Sequence, residues 1–152
     1  MTDQFAFRPT GSTNAAIITL LQTITDLLEK QPNVCIVAHD FSKAFDSLRH
    51  APLMEKMSSL RLPDNVFNWV SNFLTGRTHS TRFNSHTSEL QAVNASVVQG
   101  SVIGPVAYAI AASDLKTLTV GNSMNKFADD SYLLTPADNI DTTNLELDNI
   151  EK

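Results

Sequence analysis

Residues 125–134 read NKFADDSYLL, with Asp129 and Asp130 side by side between two short apolar runs. Any fold of this chain must accommodate that pair first. Its flanks, Met124 to Ala128 and Ser131 to Leu134, read as two strands of a hairpin heading for a core, turned at Asp129-Asp130. Two carboxylates ~4 Å apart repel by about 1 kcal/mol in water and by about 4 kcal/mol at an effective dielectric of ~20. The pair is either a solvated, Asp-rich turn or one side of a metal site completed by an acid from elsewhere in the chain. Carboxylates with few other ligand types select a hard cation, and Mg²⁺ is the natural one when phosphates complete the shell.

A second acid stands in a suitable place. Val34-Cys35-Ile36-Val37-Ala38 is a continuous apolar run, which predicts a buried strand, and it ends in His39-Asp40. An acid at a strand's end can face a cleft; a cap or turn acid is the plainer alternative. Asp40 opens the stretch DFSKAFD, whose second acid, Asp46, is placed to cap the next helix. Farther on, Gln99-Gly100-Ser101-Val102-Ile103-Gly104-Pro105 joins a strand to a helix. Gly100 permits close approach of a ligand or backbone there, though an ordinary connection reads the same way.

The remaining pattern is mixed α and β. Ser12 caps a helix with apolar positions at Ala16, Ile17, Leu20, Leu21, Ile24, Leu27 and Leu28. Pro52 sits in the first turn of a helix carrying Leu53, Met54, Met57 and Leu60, and another helix follows Pro63 and stops at Gly76. Thr78 to Asn84 and Glu89 to Val98 read as a hairpin around Ser85-His86, an apolar helix runs from Pro105 to about Leu115, and a further helix begins near Ile140.

Composition narrows the function classes. With 152 residues, 42% hydrophobic and 18% charged, the chain can form one globular domain and is not of disordered type. Cys35, the single cysteine, cannot close an internal disulfide, and no Cys/His cluster has zinc spacing. No apolar run is long enough to span a membrane, and Met1 to Arg8 lacks the features of a signal peptide. Net charge is −5; eight basic and seven acidic residues lie up to Arg82, three and nine beyond it. A free-standing nucleic-acid binder shows a basic face, so this balance argues against one and suits an acidic centre.

Taken in order, the blocks resemble the reverse transcriptases of non-LTR (LINE-like) retrotransposons. FRPTGST (Phe7–Thr13) is similar to the block preceding the palm in that family, DFSKAFD to the first catalytic block, SNFLTGR (Ser71–Arg77) to an intervening segment, and QGSVIGP and FADD to the second and third catalytic blocks. The likeness covers about Phe5 to Pro136. His39 stands where the family has an aliphatic, and Val98 where it often has proline. The resemblance implies an α+β fold: a polymerase-type palm, an antiparallel sheet with helices on one face, partial fingers and no thumb. Within a single partial domain, 1–152, it implies a fingers-to-palm segment and helix (5–32), the palm with its catalytic blocks (33–136) and the start of a truncated helix (137–152).

The implied activity is RNA-directed DNA polymerisation, a nucleotidyl transfer from dNTP to a primer 3′-hydroxyl with two Mg²⁺ ions, Mn²⁺ being an alternative. By resemblance Asp40, Asp129 and Asp130 are the catalytic and metal-binding acids, joined as a metal-site residue by Phe41. Phe41, Ser42, Phe45, Gln99 and Gly100 line the nucleotide; Phe45 is equally well read as a core aromatic. Arg8, Gly100 and Ser101 meet template and primer, with a solvated surface role open for Arg8. The implied partners are an RNA template, a DNA primer and dNTP, together with finger and thumb segments of a parent polyprotein, and no membrane. The compartment implied is nucleus or cytoplasm. Two alternatives stay open: a catalytically inactive palm remnant acting as a binding or scaffold module, and the palm of a group II intron-type maturase. The isolated chain is expected to extend a primer little or not at all.

Overall fold

Ser12 leaves the extended backbone region at φ −156°, and its Oγ accepts from the Ala15 N–H at 3.0 Å, starting helix α1 (Thr13–Leu28). The computed structural model of the chain describes residues 3–41, 43–98 and 100–151. The chain is mixed α and β, every named strand pair is antiparallel, and the residues group into two compact units, 1–42 with 112–152 and 43–111.

The first unit centres on a three-stranded sheet of order β1 (Val34–Asp40), β7 (Asp130–Pro136), β6 (Ser123–Phe127), numbering the strands in chain order. The middle strand carries the core, with Leu133, Leu134 and Thr135 essentially inaccessible. α1 packs on β6 and β1. Its small Ala16 is buried, and the Asn125 side chain donates to the Ala16 carbonyl at 3.2 Å. The expected seven-residue apolar stripe divides. Ala16, Leu20, Ile24 and Leu27 turn inward or half inward, while Ile17, Leu21 and Leu28, about 100° farther round, stay exposed. β1 likewise differs from the expected buried strand: it pairs with β7 alone among the described strands, and Ile36 is 44% exposed. A continuous apolar run marks a strand without telling a central position from an edge.

Two buried ions, neither singled out by its sequence setting, hold the segment between residues 112 and 122. Lys126 is 1% exposed; its Nζ pairs with Asp3 at 2.8 Å and donates to the carbonyls of Ala112 (3.3 Å) and Leu115 (2.7 Å). Glu146, also 1% exposed, accepts from the N–H groups of Leu118 (2.8 Å) and Thr119 (2.7 Å) and from Asn122 Nδ2 (2.8 Å). The 3₁₀ turn Ala137–Thr142 precedes helix α5 (Thr143–Ile150), so the expected helix is entered later than the predicted Ile140.

The second unit packs α2 (His50–Ser58) against α3 (Asp64–Leu74) and α4 (Ile103–Ala111), with Leu53, Met57, Val70, Leu74 and Ala107 buried. α4 ends at Ala111, short of the predicted Leu115, where Lys56 Nζ donates to the Ala111 carbonyl. α2 starts without a side-chain cap, so Asp46 does not fill the capping role expected of it; its own N–H closes a turn onto the Lys43 carbonyl at 2.8 Å. The predicted hairpin forms as two short ladders, β2 (Thr78–His79) with β5 (Gln91–Ala92) and β3 (Arg82–Phe83) with β4 (His86–Thr87), turned at Asn84-Ser85. All eight ladder residues are exposed, so no buried face pins a longer register.

Gly76 ends α3 at φ +66°, and no atom lies within 4 Å of the point a Cβ would occupy there. Gly76→Ala therefore meets only the backbone penalty, and a loss of about 1 kcal/mol, read as a Tm lower by roughly 2–4 °C, is expected from thermal unfolding.

Candidate functional site

β1 and β7 run antiparallel in a register that pairs Val34 with Pro136 at one end and Asp40 with Asp130 at the other. Asp40 is the last residue of its strand and Asp130 the first of its own, so both acids sit at the same end of the sheet. Directly opposed residues of an antiparallel pair share a face, with Cβ atoms about 4.5–5.5 Å apart. Phe127 also pairs with Asp130, which leaves Ala128 and Asp129 as a two-residue turn. The turn thus falls one residue earlier than the predicted Asp129-Asp130, because Asp130 is taken up by pairing on both sides. Ala128 has φ +56°, the sign a two-residue hairpin turn requires at its first central position. That conformation costs an ordinary L-residue about 1–2 kcal/mol.

Asp40 and Asp130 are exposed and Asp129 is half-buried. Among the described residues, none of the three carboxylates has an ion pair or a side-chain hydrogen bond. Like charges directly opposite one another destabilise a strand pair, so this end of the sheet is electrostatically uncompensated. Its donor set is oxygen only, the chemistry of Mg²⁺ and Mn²⁺ rather than of zinc or copper. Among the described residues no three His, Cys, Asp or Glu side chains are drawn around one point. The register brings the carrying backbones together and leaves the acids unneutralised.

The other residues singled out from the sequence fall as follows. Phe41 is half-buried and meets His39 edge-on, ring centroids 4.6 Å apart. His39 precedes Asp40 in the strand and so takes the opposite face, away from the carboxylate. Arg8 is exposed; it donates to the Gln4 carbonyl at 3.1 Å and lies over the Phe5 ring. Phe45, Gly100 and Ser101 belong to the 43–111 unit. Phe45 packs on Tyr108 with centroids 5.4 Å apart, which gives weight to its core role. Gly100 has φ +82°, and Ser101 Oγ accepts from the Gly104 N–H at 3.2 Å at the start of α4. Ser42 and Gln99 lie outside the described residues.

Sequence reasoning missed Gln4. Its buried carboxamide reaches the turn itself: Oε1 accepts from the Ala128 N–H at 3.0 Å, and Nε2 donates to the Ala128 carbonyl at 3.3 Å. No local pattern marks a contact between residues 124 positions apart.

Comparison with known proteins identifies the family. The family profile described as reverse transcriptase (RNA-dependent DNA polymerase) matches residues 1–148. The chain is 28% identical over 144 residues to the RNA-directed DNA polymerase from mobile element jockey of Drosophila melanogaster, covering 90% of this chain and 16% of that protein. It is 30% identical over 138 residues to the jockey polymerase of Drosophila funebris, covering 90% and 15%. It is 32% identical over 131 residues to the probable RNA-directed DNA polymerase from transposon X-element of Drosophila melanogaster, covering 84% and 14%. The chain therefore spans about one sixth of the length of these curated relatives.

Proposed function

The chain belongs to the reverse transcriptase family, in its LINE-like retrotransposon branch, and from that premise we propose that it carries the catalytic acids of an RNA-directed DNA polymerase. One observation carries the reading: Asp40 and Asp130 are register partners at a sheet end, with Asp129 in the adjoining turn and no cation among the described residues paired with them. Such a tip is stabilised by whatever divalent ion it holds.

In this reading 33–136 forms the palm, 5–32 leads into it from the fingers, and 137–152 opens a further helix. Asp40 and Asp129 would hold two Mg²⁺ ions, with Asp130 supporting them and Phe41 completing the metal site. When bound, these ions supply Lewis acidity at the triphosphate and lower the pKa of the primer 3′-hydroxyl. The remaining work falls to the chain. Phe41, Ser42, Phe45, Gln99 and Gly100 seat the dNTP, and Arg8, Gly100 and Ser101 contact template and primer. The buried residues of the hairpin, Asn125 and Lys126 in β6 and Leu133 and Leu134 in β7, hold its acidic end against drift. A second reading, a non-catalytic remnant serving as a binding or scaffold module, draws support from the net charge of −5, which opposes phosphate contact.

Calorimetric titration with Mg²⁺ and dNTP separates the two. The polymerase reading expects uptake that Asp40→Asn weakens by about 10-fold or more; uptake indifferent to Asp40 favours the scaffold.

A further inference from the structure

The N-terminal segment lies along the outer edge of β6 and does more than extend the sheet. The Lys126 N–H donates to the Asp3 carbonyl at 2.8 Å, the Phe5 N–H to the Lys126 carbonyl at 2.9 Å, and Asp3 pairs with Lys126 Nζ at 2.8 Å. Gln4 is thereby pinned between two backbone rungs and is 3% exposed. We propose that Gln4 is a positioning residue for the acidic tip, its carboxamide gripping both backbone polar groups of Ala128 and so fixing the turn from which Asp129 projects.

The atoms match this role. Both lone-pair directions of Oε1 are used, by the N–H groups of Ala128 (3.0 Å) and Ala6 (3.0 Å), and Nε2 donates to the Ala128 carbonyl (3.3 Å). Inside a two-residue turn the N–H and C=O of Ala128 have no ladder partner, and Ala128 is half-buried, so a side chain that pairs both groups replaces the water they partly lack. An alanine at φ +56° persists only where its surroundings over-determine it. An amide is also the one side chain of this length that donates and accepts while adding no fourth negative charge. Glutamate would set an anionic oxygen against the Ala128 carbonyl. Because Asp129 directly follows Ala128, rotation about the gripped residue would change where its carboxylate projects.

This inference rests on the polymerase reading of Asp40 and Asp129, and its test keeps the two apart. Mn²⁺ affinity, Ala128 amide exchange and Tm are measured on the 152-residue chain and on Gln4→Met, Asp3→Asn and Asp129→Asn. Gln4→Met keeps the shape and removes the hydrogen bonds; Asp3→Asn loosens the same segment without touching Ala128. The expected result is Mn²⁺ affinity about 10- to 100-fold weaker in Gln4→Met, the range for residues that orient metal ligands, with the Ala128 amide newly open to exchange. Asp3→Asn should lower Tm and leave the affinity within about twofold. Asp129-dependent binding that survives Gln4→Met at full strength overturns the clamp alone. Wild-type binding that does not need Asp129 overturns the underlying reading and the clamp with it. Should Gln4→Met fail to fold, wild-type protein still decides, since absence of a scalar coupling between Ala128 N and Gln4 Cδ overturns the clamp.

Discussion

Replacing Asp129 with asparagine is expected to lower templated primer extension by about a thousandfold, in any polypeptide that contains this chain and extends a primer. A carboxamide keeps the shape but gives up the charge, and an ion lost from the reacting phosphate forfeits several kcal/mol of transition-state stabilisation; about 4 kcal/mol is a factor of ~10³. The same change should affect stability in the opposite sense. Asp129 adjoins Asp130, which faces Asp40, and none of the three has a basic partner among the described residues. Removing one charge relieves repulsion, so urea unfolding of metal-free protein should show Asp129→Asn more stable by about 0.5–1 kcal/mol. Loss of activity with gain of stability is the signature of an acid kept for chemistry. Loss of both would mean that Asp129 is structural.

Glu146→Ala should have the largest effect on folding. Three donors, the N–H groups of Leu118 and Thr119 and Asn122 Nδ2, converge on its carboxylate at 2.7–2.8 Å in a site that is 1% exposed. The Asn122 donor is buried and those of Leu118 and Thr119 are part-buried; a buried donor left without a partner costs about 1–3 kcal/mol, and a summed loss of about 2–4 kcal/mol is expected from denaturant unfolding. That is a large fraction of the ~5–15 kcal/mol typical of a domain. The pH dependence follows from the same contacts. Burial alone would raise the Glu146 carboxyl, but the hydrogen bonds from Leu118, Thr119 and Asn122 outweigh it and hold the group below its ordinary 4.5. A depressed native value means that the folded protein binds the proton less readily than the unfolded chain. Glu146 therefore contributes its full stability above the ordinary carboxylate range and loses it as pH falls through the lowered native value. Glu146→Gln should flatten that acid limb, as followed by Tm between pH 6 and pH 3 (roughly the window set by the ordinary value).

What could be read in advance divides by range. Ser12 capping α1, Gly76 ending α3 and the hairpin around Asp129 are local signals, carried by residues within a few positions of the feature they mark. The meeting of Asp40 with the hairpin was legible because five blocks stood in a familiar order, which supplied a long-range contact that periodicity cannot. Gln4, Lys126 and Glu146 were not legible. Each is a polar residue of a type normally solvated, and each is buried by partners distant in the chain, Ala128 for Gln4 and Leu118 for Glu146. The errors have the same origin. The run Val34–Ala38 looks alike at the centre or the edge of a sheet, and the turn slipped by one residue because only the pairing of Asp130 with both Asp40 and Phe127 fixes it.

Paramagnetic broadening by Mn²⁺ addresses the central claim most directly, because it reports where in the chain a hard cation settles. Substoichiometric Mn²⁺ is expected to broaden the backbone amide signals of Asp40, Asp129 and Asp130 before any others, and to leave them sharp in Asp129→Asn. Broadening that begins instead at the carboxylates of Asp138, Asp141 and Asp148, with the hairpin tip unaffected, would contradict the assignment of these acids to catalysis.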